Sequence, residues 1–76
     1  KGNFVHLHLA PGGIIERHPQ ERSVTFFVAS GQATLIIDDH QIEVGKGDVI
    51  EVQPGAMRGW TNGGTEVVEV LAIKHK

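Results

Sequence analysis

Short runs in which apolar and polar side chains alternate dominate this chain, and a turn residue closes each run. In NFVHLHLA (3–10), Val5 and Leu7 fall on one side of an extended chain. His6 and His8 fall on the other side. A two-residue period is the pattern of a β-strand with one buried face, and it does not suit a helix, whose period is 3.6.

The same pattern recurs in six further segments. They are separated by turn residues, namely glycine, proline, asparagine or aspartate. Glycine supplies the positive φ that tight turns require, and no segment carries a helical apolar stripe. We therefore predict a single all-β domain over residues 1–76, folded as a sandwich or barrel of seven or eight short strands. The further segments are SVTFFVAS (23–30), ATLIID (33–38), QIEV (41–44), DVIEVQ (48–53), MRGWTN (57–62) and TEVVEVLAIK (65–74).

Composition narrows the classes of function. The chain has no cysteine, which excludes disulfides, thiolate metal sites and a thiol nucleophile. The net charge is −2 and the charges are scattered, so no nucleic-acid partner is expected. Lys74 and Lys76 are interpreted as a solvated tail. No apolar run approaches the ~18 residues that would span a bilayer. With no leader pattern either, we expect a cytoplasmic protein without a membrane partner.

Glycines frame two polar clusters at fixed intervals. The first cluster follows G-x5-H-x-Q-x3-V-x6-G and consists of Gly12, His18, Gln20, Val24 and Gly31. The second follows G-x5-Q-x-G-x2-R-x3-N and consists of Gly47, Gln53, Gly55, Arg58 and Asn62. Fifteen residues separate the two clusters. These spacings resemble the two motifs of the cupin superfamily, G-x5-H-x-H-x3,4-E-x6-G and G-x5-P-x-G-x2-H-x3-N.

The resemblance implies a small cupin-type barrel, a double-stranded β-helix or jelly roll, with a pocket at one mouth. Three histidines and a glutamate usually hold a divalent ion there. His18 matches the first of these ligands, whereas Gln20, Val24 and Arg58 stand in place of the others. Valine offers no donor, glutamine is a weak ligand, and a permanently charged guanidinium repels a cation. We therefore expect the usual metal-ligand set to be largely lost, with His18 and Gln20 as the remaining candidate ligands.

Five polar or aromatic residues are the predicted ligand-binding set. Arg58, Trp60 and Asn62 alternate along one strand, so all three are expected to point into the pocket. His18 and Gln20 are expected to join them from a neighbouring strand. Apolar walls with a few convergent polar groups are typical of small-molecule sites.

Arg58 requires an anionic or strongly polar partner if it is buried. One alternative is an internal ion pair with Glu51 or Glu21. The other is a carboxylate, phosphate or sulfonate on a ligand, bound by the guanidinium fork. Trp60 would be either a stacking wall or a core residue, and Asn62 either a ligand contact or part of a turn.

Three hypotheses follow from these residues. The favoured one is a barrel that binds a small, anionic molecule without a resident cofactor. The alternative is a metal-dependent cupin enzyme, an oxygenase or isomerase, in which His18, Gln20 and a histidine of the His6 and His8 pair hold a divalent transition metal. The third is a barrel whose role is assembly. No residue is identified as catalytic, so the sequence leaves enzymatic activity open.

A homodimer is expected under all three hypotheses. A short barrel has edge strands whose unpaired backbone groups need protection, and pairing between two chains supplies it. The terminal strands NFVHLHLA and TEVVEVLAIK are the candidate edges.

Overall fold

Eight strands build the part of the chain that the computed structural model describes, residues 4–75. They are β1 (Phe4–Leu9), β2 (Ile14–His18), β3 (Val24–Ser30), β4 (Gln32–Ile37), β5 (His40–Gly45), β6 (Val49–Val52), β7 (Arg58–Thr61) and β8 (Val68–Lys74). All pairs are antiparallel, and they form two four-stranded sheets with the orders β1-β8-β3-β6 and β2-β7-β4-β5. Among these residues, no helix is long and apolar enough to cross a membrane.

The inward side of each sheet forms one apolar core between the two layers. Burying a side chain of the size of valine or leucine stabilises a fold by about 1.5–3 kcal/mol, so the ten buried residues of this size or larger drive the closure of the layers. The all-β barrel predicted from the alternation is thereby confirmed. The buried apolar residues are Leu9, Val24, Phe26, Val28, Ala33, Leu35, Val44, Val52, Trp60, Val68, Val70 and Ala72.

Strand β2 is not among the segments that the alternation predicts. The strand expected to carry both His18 and Gln20 is corrected, because β2 ends at His18 and Gln20 follows it. The residues of β2 are mostly exposed, with Ile14 66% accessible, so it lacks the apolar alternation that marks the other strands. Pairing with β7 holds it in the sheet, and tertiary pairing of this kind leaves no signal in the local sequence.

Strand β8 corrects the expectation about edge strands. It pairs with β1 on one side and with β3 on the other, so the segment TEVVEVLAIK does not supply a free edge. It also begins at Val68 rather than at residue 65. Strand β1 is an edge of its sheet within the described residues, and β6 is the opposite edge. The homodimer stays a prediction.

A β-bulge lies where β2 crosses β7. Ile15 is paired with Trp60 and His18 with Arg58, so two residues of β2 face Gly59 alone. A bulge of this kind inserts one extra residue into a strand and redirects the side chains that follow it.

The bulge determines which residue of β2 faces the core side of the sheet. Strict alternation from Ile15 would turn Arg17 inward and His18 outward. The extra residue reverses this order and brings His18 to the inner side. Gly59 permits the crossing, because a Cβ built on it would lie 2.5 Å from the Ile15 carbonyl oxygen and 2.9 Å from the Arg17 backbone nitrogen.

We predict that Gly59→Ala lowers the free energy of unfolding by about 1–3 kcal/mol, because the added methyl group would push against backbone atoms that have little freedom to move. Urea unfolding measures the change. Gly63→Ala is the matched control, since a Cβ there meets nothing within 4 Å and Gly63 does not have a positive φ. Equal stability of the two variants would contradict the close approach of β2 and β7.

Candidate functional site

A cavity of about 100 Å³ lies between the two sheets. Its walls are mainly apolar. His18 is exposed, whereas Gln20 and Lys74 are half-buried, so these polar residues border the opening. The lining residues are Val5, Leu7, Ile15, His18, Gln20, Val24, Phe26, Arg58, Trp60, Ala72 and Lys74.

Arg58 is the charged residue inside this cavity. It is 3% exposed, and its Nη1 atom is buried without a hydrogen-bond partner among the described residues. The guanidinium carbon lies 5.7 Å from the centroid of the Phe26 ring, within the range of a cation–π contact. Burial lowers the pKa of Arg58 because the charged form loses hydration. A guanidinium nevertheless stays protonated in proteins, so an unpaired positive charge faces the cavity.

The internal partners expected for Arg58 do not pair with it. The ion pairs between described residues join His6 and His8 to Glu69, and Arg17 to Asp39. Glu21 and Glu51 are both exposed and form no such pair with Arg58.

Lys74 adds a second positive charge to the cavity lining, and none of the described residues that line it is acidic. Its expected place in a solvated tail is therefore corrected, whereas Lys76 lies outside the described residues. Lys74 ends β8 on the same face as the buried Val70 and Ala72, because side chains two residues apart share a face. The cavity thus combines apolar walls with cationic groups, which favours an anion over a cation.

His18 and Gln20 both line the cavity, as predicted, and the bulge in β2 accounts for the position of His18. The ring nitrogen Nδ1 of His18 lies 3.1 Å from the backbone oxygen of Glu16, which leaves Nε2 without a protein partner among the described residues. Val24 lines the cavity from the other sheet and offers no donor.

The lining residues do not fit a divalent cation at the position where the family holds one. Such an ion takes three or four donors from imidazole, carboxylate or thiolate groups. Here one imidazole and one amide share the cavity with the orphaned Nη1 of Arg58. A guanidinium cannot coordinate, and it repels a second cation at short range.

Trp60 lines the cavity and is also part of the core. It is 2% exposed and meets the Phe26 ring edge-on, with the ring centroids 5.2 Å apart. The two interpretations made from the sequence, a pocket wall and a core residue, are therefore compatible.

Asn62 lies apart from the other predicted ligand-binding residues, which corrects its expected place in the pocket. Its amide Nδ2 donates to the backbone oxygens of Leu9 and Glu66 at 3.0 and 2.8 Å, and its Oδ1 accepts from Gly64 N at 3.0 Å. The alternation along β7 does turn Asn62 inward, yet four residues of strand separate it from Arg58 by about 13 Å. Asn62 therefore belongs to the turn at the other end of the barrel.

His6 and His8 are not brought to His18. They alternate with Val5 and Leu7, which line the cavity, and therefore project from the outer face of β1. The ligand set of the alternative hypothesis, with one of these histidines beside His18 and Gln20, is not assembled.

Known proteins resemble this chain in sequence and in fold. A family model described as "Cupin domain" matches residues 5–74. A cupin 2 conserved barrel domain protein from Salinispora arenicola superposes with a TM-score of 0.88 at 22% identity, covering 96% of this chain and 61% of its own. An uncharacterized conserved protein with a double-stranded β-helix domain from Klebsiella pneumoniae gives a TM-score of 0.88 at 26% identity, covering 93% and 64%.

A third similar structure is a predicted oxalate decarboxylase from Thermotoga maritima, with a TM-score of 0.86 at 22% identity, covering 93% of this chain and 63% of its own. No curated protein matches the chain. The chain spans about three-fifths of the length of these three structures.

We predict that Arg58→Met raises the free energy of unfolding by about 1–3 kcal/mol in buffer without small organic anions, because an apolar side chain of similar length removes an unpaired buried charge. Urea unfolding measures the change. The control is Arg22→Met, which alters an exposed arginine and should change stability by less than about 0.5 kcal/mol. A clear loss of stability in Arg58→Met would mean that the guanidinium is well paired in the free protein.

Proposed function

We propose that this chain, which belongs to the cupin domain family, binds a small organic anion through Arg58 in the cavity of its barrel. The observation that carries the proposal is the buried Nη1 of Arg58. Within residues 4–75, this atom has no hydrogen-bond partner and no acidic residue lines the cavity. A buried donor left unsatisfied costs about 1–3 kcal/mol, and more when it is charged. A bound carboxylate would remove that cost by accepting a hydrogen bond from Nη1, which favours the binding of an anion.

The dimensions and walls of the cavity select the chemical class. A cavity of about 100 Å³ holds a ligand of roughly three to six non-hydrogen atoms, given that about 150 Å³ accommodates benzene. Phe26 and Trp60 suit a short hydrocarbon part, and the planar guanidinium matches the two oxygens of a carboxylate. A short aliphatic carboxylate fits both features.

Polar residues at the opening complete the proposed site. Lys74 would attract the anion and hold it by charge, and His18 and Gln20 would accept or donate hydrogen bonds at its outer end. In this role the domain acts as a binding or sensor module. An unpaired Arg58 beside an open cavity argues against a barrel whose role is only assembly.

Fluorescence of Trp60 provides a direct test, because it is the single tryptophan of the chain and lines the cavity. Titration with formate, acetate, propionate and butyrate should give a saturable change for at least one of them. Arg58→Met should weaken that binding at least about tenfold, since a hydrogen bond to a charged group contributes about 1.5–3 kcal/mol. Arg22→Met should bind like the wild type.

Two outcomes would refute the proposal. One is that none of these anions perturbs Trp60 or is detected by calorimetry. The other is that Arg58→Met binds the same anion with unchanged affinity while its circular dichroism matches that of the wild type.

A metal-dependent enzyme is the second candidate. His18 and Gln20 line the cavity together, and one similar structure bears the name of a predicted decarboxylase. At 22% identity that likeness shows the fold alone, so it transfers no substrate. The unfavourable donor set and the charge of Arg58 make this candidate weaker than anion binding.

Metal analysis separates the two candidates. Tag-free protein in which His6 and His8 are both replaced by alanine should contain only substoichiometric transition metal, because the cavity then offers one imidazole beside two cations. The double replacement removes the outer histidines from the measurement. One metal per chain that is lost on further replacement of His18 by alanine would favour the enzyme.

A further inference from the structure

A cluster of three potential metal ligands lies on the outer face of the pair formed by β1 and β8. His6 Nε2 is 3.2 Å from Glu69 Oε1, and His8 Nε2 is 3.3 Å from Glu69 Oε2. The ligand atoms of the three side chains all lie within 4.8 Å of one another. We propose that His6, His8 and Glu69 form a surface site for a divalent first-row transition metal, and specifically for Zn²⁺.

The spacing of the three groups agrees with tetrahedral zinc. With bonds of about 2.0–2.1 Å to nitrogen and oxygen, neighbouring ligand atoms around a tetrahedral zinc ion are ~3.3 Å apart. The two distances between imidazole nitrogen and carboxylate oxygen have this length, and they end on different oxygens of Glu69. Binding therefore requires the carboxylate to rotate so that one oxygen meets the ion, and the three groups, whose ligand atoms lie within 4.8 Å of one another, to close around it.

The strand register explains why these residues meet. His8 is directly opposite Glu69, and His6 follows on the same face two residues away. The imidazole rings lie 5.0 Å apart, tilted by 41°. Each ring can present Nε2 as a ligand with its proton on Nδ1, and Glu69 then exchanges two hydrogen bonds for one metal bond. Imidazole with carboxylate favours zinc, copper or nickel over magnesium or calcium.

The site is separate from the cavity. Val5 and Leu7 line the cavity, whereas the histidines between and beyond them point away from it. Zinc takes four ligands, so two histidines and one carboxylate leave at least one coordination position open. Solvent can occupy that position because the three side chains are partly exposed. A bound ion links β1 to β8, so it binds the folded chain more tightly than the unfolded chain, in which Glu69 is far from the histidines.

Calorimetric titration of Zn²⁺ into the tag-free, chelator-treated chain tests the proposal. The expected result is one zinc ion per chain. His8→Ala and Glu69→Gln should each weaken binding at least about tenfold, since each removes one of three protein ligands. With zinc at about 100 times its dissociation constant, the unfolding temperature of the wild type should rise by about 10–20 °C, and that of His8→Ala should rise much less.

Histidines outside the cluster are the matched controls. His40→Ala, in an exposed strand, and His18→Ala, at the cavity, should keep wild-type zinc affinity. Loss of binding in His18→Ala would place the metal in the cavity and overturn the proposal. Unchanged affinity after replacement of both His6 and His8 by alanine would overturn it equally. Neither result depends on whether Arg58 binds an anion.

Discussion

The alternation of side chains along each strand is the constraint on which both candidate sites depend. In β1 it directs Val5 and Leu7 to the cavity and sends His6 and His8 to the outer face. In β8 the same rule places Lys74 on the cavity side, with Glu69 of the opposite parity on the outer face beside the histidines. An interior that favours anions and an exterior with cation ligands therefore arise from the same two strands. A register slip of one residue would abolish both.

Much of the fold could be predicted from the sequence because most strands bury one face and so carry a visible alternation. The match of the family model to residues 5–74 confirms the resemblance to cupins that rested on the spacing of the glycines. The alternation did not predict the bounds of strand β2 because its residues are mostly exposed and its pairing with β7 is a long-range contact. The bulge opposite Gly59 was not predicted for the same reason. No local pattern shows which backbone atoms of another strand approach a glycine.

The alternation along a strand predicts which face of the sheet a side chain points to. It does not predict how far along the strand that side chain lies from the cavity. Arg58 and Trp60 reach the cavity as expected, but Asn62 shares their direction at the far end of the barrel. Lys74 was missed because a lysine near the end of the chain resembles a tail. Because the predicted strand already extended to residue 74, the parity of Lys74 with Val70 and Ala72 could have revealed it.

Arg58 changes the chemistry that this barrel can support. Its position corresponds to a metal ligand of the family, and a guanidinium there repels cations and attracts anions. Arg58 destabilises the free protein, because its Nη1 is buried without a partner among the described residues. The cation–π contact with Phe26 offsets only about 0.5–2 kcal/mol of this cost. The proposed anion would offset this cost, since the same desolvation strengthens the attraction between the guanidinium and a carboxylate. A cation that enters the cavity is repelled by the positive charges of Arg58 and Lys74. For this chain, metal chemistry therefore finds better donors at His6, His8 and Glu69 on the outer surface than in the cavity.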